Sequence, residues 1–144
     1  MRRGRLDEFV SHGLASDDVP DPQDPATRHR SVLPWQEVEE EPHAAVLRWY
    51  TACTALRRSL LPPGPTHLVD VDVAVDEAAR WVVVAHAPAG RAAHAVVANL
   101  SPRPTAVPVD GAAELLLAWQ PDGTRLLGDA VHLPPESAAV VRLG

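Results

Sequence analysis

The chain has one cysteine, Cys53, so no disulfide can close within it and no thiolate zinc cage can be assembled from its own residues. It has little aromatic content, 4%, with one phenylalanine and one tyrosine beside four tryptophans. It lacks any apolar run near the roughly 18 residues that a membrane-spanning helix needs. The opening MRRGRLDEFV has no apolar centre of the kind a secretion signal carries. We therefore expect no membrane partner and a soluble, cytoplasmic chain. Positive charge is scarce as well. The net charge is −6, and the arginines are scattered apart from Arg2, Arg3 and Arg5, so there is no basic footprint and we expect no nucleic acid partner.

What is present is the composition of a globular protein made of short pieces. Hydrophobic residues make up 46% of the 144 residues and charged residues 22%, while 15 prolines and 8 glycines punctuate the text. That length suits one ordinary domain, or a small domain with an appendage, and is too short for a large enzyme barrel. No internal repeat and no low-complexity tail is visible.

Four zones follow in order. Residues 1–42 read as an irregular segment rich in proline and aspartate. Residues 43–60 read as a helix: Val46, Trp49, Tyr50, Cys53, Leu56 and Leu60 recur at steps of three and four, and Arg48, Arg57 and Arg58 fall off that stripe. Glu37, Glu39, Glu40 and Glu41 lie ahead of Pro42, which we expect at the first helical position, and the prolines of LLPPGP end the ladder. Ala45, Leu47, Ala52 and Ala55 widen the apolar surface, as if the helix had two neighbours.

Residues 61–67 read as a linker, and from 68 to 144 the period falls to two. LVDVDVAV sets Val69, Val71, Val73 and Val75 against Asp70 and Asp72, the pattern of a strand with a dry face and a wet one. RWVVVAHA, AAHAVVANL, TAVPV, ELLLAW, AVHL and SAAVVRL follow, separated by turn residues. The fold class expected is mainly β, an antiparallel sandwich of about seven to eight strands with one major helix on its N-terminal side.

The residues that could carry chemistry have plainer roles to fill. Asp17, Asp18, Asp21 and Asp24 lack the register of a calcium loop and are expected to cap backbone N–H groups in turns. Asp70 and Asp72 are expected on the solvated face of a strand. His12, His29, His43, His67, His86, His94 and His132 show no close metal-binding pair in sequence, so no metal is expected. Cys53 lies on the helical stripe, where burial makes a thiol inert. No serine sits in a nucleophile elbow. Of the tryptophans, Trp49 and Trp81 are expected in packed interior. Trp35 is the one candidate for stacking on a sugar ring, and Trp119 could join it on an exposed platform.

A longer pattern joins these pieces. GRLDEF at 4–9, VPDPQDPAT at 19–27, RS at 30–31, LPW at 33–35 and HAAVLRWYTACTALRRS at 43–59 together resemble the end of the malto-oligosyltrehalose trehalohydrolases, a family of the α-amylase superfamily of glycoside hydrolases. VPDPQDPAT is the most specific part, and LPPESAAVVRL at 133–143 is similar too. The resemblance implies that residues 43–60 are the last helix of a catalytic (β/α)8 barrel and residues 68–144 the C-terminal sandwich, with the proline-rich stretch a stiff loop leading into that helix. It also implies that the catalytic carboxylates precede this segment, so no catalytic residue is assigned here and no cofactor is expected.

The family reaction releases trehalose from malto-oligosyltrehalose by hydrolysis of an α-1,4 bond; the resemblance assigns it to the parent enzyme and leaves this chain inactive alone. Arg28, SHGL at 11–14 and LPW depart from the aromatic or acidic residues the family has there. The expected partner is a barrel, in the same parent or on a separate chain, with α-glucan reached only through it. The alternatives are a free-standing carbohydrate-binding module and a small intact enzyme. An orphaned barrel helix should keep apolar residues exposed on its far side, among Val46, Leu47, Tyr50 and Leu56.

Overall fold

The computed structural model describes residues 8, 9, 12, 13, 21, 23–61 and 70–144. Asp17, Asp18, His67, Leu68, Val69 and nearly all of the expected linker lie outside the described residues. The chain divides into two compact units, Met1–Ala44 and Ala45–Gly144.

In the first unit the described residues hold more regular structure than the expected irregular segment. Helix α1 spans Pro25–Arg30 and a 3-10 turn spans Trp35–Glu39. The cause is local. Asp24 is the N-cap, its Oδ1 accepting the Ala26 N–H at 2.8 Å, Pro25 opens the helix with its φ already set, and Arg28 and Arg30 place positive charge on the last turn. Six residues carry too little apolar periodicity to announce a helix, so only the cap chemistry could have shown it.

Helix α2 spans His43–Leu60, as the three- and four-residue spacing predicts. Pro42 stands one place ahead of it rather than at its first position. The preceding 3-10 turn hands over instead, with the Ala44 N–H donated to the Glu40 carbonyl at 2.8 Å.

Eight strands follow: β1 Val71–Asp76, β2 Trp81–His86, β3 His94–Asn99, β4 Thr105–Pro108, β5 Ala112–Ala118, β6 Arg125–Leu127, β7 Ala130–Leu133 and β8 Ser137–Leu143. They form two sheets, β1-β2-β3-β8-β5 and β4-β7-β6, and every pairing is antiparallel. This is the mainly β architecture expected, with β6 added. Three residues, of which only Leu126 turns inward, are too few to show alternation.

The core lies between the sheets. On β2, β3 and β8, Val83 faces Val97 and Val97 faces Ala139, while Ala95 faces Val141. Val107, Val109, Val131 and Leu133 come from the β4–β7 side, and these nine side chains form one buried cluster. Each buried valine contributes about 1.5–3 kcal/mol relative to exposure.

The valines of β1 do not join it. Val71, Val73 and Val75 lie on the opposite, outer face of the larger sheet and are exposed, although their alternation with aspartate predicted a dry face. Period two separates the faces of a strand. It cannot say whether a neighbour covers either one, and the valines of edge strand β1 fall on the face turned away from the smaller sheet.

Asn99 closes the corner where the chain leaves the larger sheet. It is fully buried at the end of β3. Its Nδ2 donates to the carbonyls of Arg103 and Pro134, both at 2.8 Å, and its Oδ1 accepts the Ser101 N–H at 2.9 Å. One side chain thus ties the β3–β4 crossover to the β7–β8 corner. We predict that Asn99→Ala, which removes three hydrogen bonds from a fully buried corner, lowers the unfolding free energy by about 3 kcal/mol in equilibrium urea denaturation. Asn99→Asp should be at least as damaging, because a carboxylate would face the same carbonyls.

Candidate functional site

Helix α2 lies over the outer face of the larger sheet, and between them is a hollow of about 290 Å³. Trp49, Cys53, Leu56 and Leu60, at steps of four, three and four, form its helical wall. Val96, Leu117, Ala138 and Val140 form the floor. At one side Trp49 meets Trp119 edge to face, ring centroids 5.5 Å apart and planes at 74°. The periodic helical face and the outward half of each strand meet here, so the hollow is almost entirely hydrocarbon.

Two residues give it chemistry. Cys53 is half-buried, and burial pushes its thiol up from the ordinary value, away from the thiolate a nucleophile or metal ligand requires. This agrees with the inert thiol read from the helical stripe. His94 is buried and stands directly across from His86 in the β2–β3 pairing, the two rings edge to face with centroids 5.3 Å apart. His86 Nε2 is buried without a hydrogen-bond partner among the described residues. Sequence spacing gave no hint of this pair. The register would have: His86 and His94 lie symmetrically about Gly90, whose φ of +72° belongs to the connecting turn.

Burial is the first cause that moves His94 below the ordinary imidazole range, and the neighbouring His86 adds to it. The Ala92 carbonyl, 3.4 Å from Nδ1, works against them. Arg57 lines the same hollow, and Arg142 stands opposite His94 on β8, its guanidinium paired with Glu114 at 2.7 Å.

Among the described residues no carboxylate lines the hollow. Glycoside hydrolysis by the usual route needs two, roughly 5–10 Å apart across the scissile bond. The carboxylates considered from sequence are occupied by backbone structure where they are described. Asp24 caps α1, and Asp21 Oδ1 accepts the Gln23 N–H at 3.0 Å, which is the turn role expected of both. Asp72 is exposed on β1. Among the described residues no group of three or more histidine, cysteine, aspartate or glutamate side chains could hold a metal ion. Among the described residues no helix is long and apolar enough to cross a membrane.

Trp35, the sugar-stacking candidate, opens the 3-10 turn and is 69% exposed. Trp49, Trp81 and Trp119 are each half-buried. Trp49 and Trp119 meet edge to face and so form no flat platform. The far side of α2 carries Val46, Leu47 and Tyr50 exposed, the last two by 51% and 67%, whereas Leu56 turns into the hollow. Three of the four residues expected on an uncovered helix face are therefore uncovered.

Comparison with known proteins adds a second kind of evidence. Residues 66–140 match the family model described as "Domain of unknown function (DUF3459)". Proteins named malto-oligosyltrehalose trehalohydrolase are similar along nearly the whole chain. The protein from Mycobacterium tuberculosis strain H37Rv is 41% identical over 143 residues, and that from Arthrobacter ramosus 42% identical over 141. The one from Rhizobium sp. strain M-11 is 40% identical over 139. These matches take in 96%, 98% and 96% of this chain but 22% of each relative, in their C-terminal part. The chain thus spans about a fifth of the length of the curated relatives it matches. No solved structure matches it.

The buried His94 gives a pH prediction. In the unfolded chain it titrates near the ordinary value of about 6.5 and in the folded chain below it. The unfolded state therefore binds more protons as pH falls through that range, and stability, full above it, declines. Denaturant midpoints should be lower near pH 5.5 than near pH 7.5, one unit either side of about 6.5. His94→Phe should shrink the difference; an unchanged difference would show that other groups cause it.

Proposed function

This chain belongs to the DUF3459 family, and from that premise we propose that it is the C-terminal portion of a malto-oligosyltrehalose trehalohydrolase, without catalysis of its own. The observation that carries the reading is the alignment: identity near 41% over almost all of this chain against a fifth of each relative's length. The hollow under α2 agrees with it, being walled with hydrocarbon where a glycosidase would need acids. The parent reaction is hydrolysis of the α-1,4 bond that releases trehalose from malto-oligosyltrehalose, with the reacting carboxylates on another part of the protein.

In this reading α2 is the last helix of a (β/α)8 barrel. Its inner stripe rests on the larger sheet, and Val46, Leu47 and Tyr50 are the side meant for the barrel, whether that lies in the same parent or on a separate chain. Glucan contact runs through the barrel. A cytoplasmic location belongs to the same proposal, and the single Cys53 is compatible with a reducing compartment.

A second reading, a free-standing carbohydrate-binding module, draws on one observation, the exposed indole of Trp35. Aromatic faces open to solvent are suited to sugar rings. The two readings differ in what the purified chain does with malto-oligosaccharides.

We predict no trehalose from malto-oligosyltrehalose incubated with the purified chain, read by chromatography of the products against an enzyme-free blank. Trehalose above that blank, co-purifying with the chain, would overturn the inactive reading. Isothermal titration with maltoheptaose should likewise show no saturable heat. If it does, and Trp35→Ala weakens binding about tenfold or more, the module reading replaces the first.

A further inference from the structure

We draw no further inference here: the strongest candidate, the hydrocarbon hollow between α2 and the outer face of the larger sheet, with His94 of the buried His86–His94 pair in its wall, belongs to the site already described, and nothing among the described residues shows what would fill it.

Discussion

The two-sheet unit depends on a polar knot in a largely aliphatic interior. The chain must pass from β3 in one sheet to β4 in the other, and such a corner exposes carbonyls that no ladder can reach. Asn99 satisfies them from inside, giving its two N–H bonds to Arg103 and Pro134 and taking one from Ser101. Ser137 adds its hydroxyl to the same Pro134 carbonyl at 3.1 Å. With that corner fixed, Val97 and Leu133 can lie in one core although they come from different sheets. Valine packing supplies most of the favourable free energy, but valines alone do not choose which corner meets which.

The same economy shapes the hollow under α2. The unit's interior is used up by inter-sheet packing, and the hollow under α2 is made by laying a helix across a valine and alanine surface. That hollow is walled almost entirely by hydrocarbon, and among the described residues no acid lines it. A helix that meets the sheet with Trp49, Cys53 and Leu56 while presenting Leu47 and Tyr50 to solvent has a second apolar side unused. Such a helix is suited to standing between two bodies.

Much of this could be read before any coordinates. The spacing of Trp49, Cys53, Leu56 and Leu60 is a helix in any context, because each lies about one turn from the next. Most strands announced themselves by alternation and by the turns between them. The proline-rich stretch and the helix after it pointed to the family. Other features were hidden for identifiable reasons. Helix α1 depends on the Asp24 cap and β6 on pairing with β7, both too short to show a period. The exposure of Val73 depends on a neighbour that is absent above β1. The His86–His94 pair depends on strand register, and residues eight apart in sequence become adjacent only when a hairpin is drawn.

By itself, then, the amino-acid order determined the local geometry: which residues share a face, where ladders stop, and that the chain offers no disulfide. Those properties follow from backbone dihedrals and side-chain period, which act over a few residues. Tertiary structure alone decided which of two equally valine-rich faces became core, where the one buried asparagine found its carbonyls, and that His94 lost its water to lie against His86. These are matters of burial. Burial depends on what arrives from elsewhere in the chain, and no local pattern encodes that arrival.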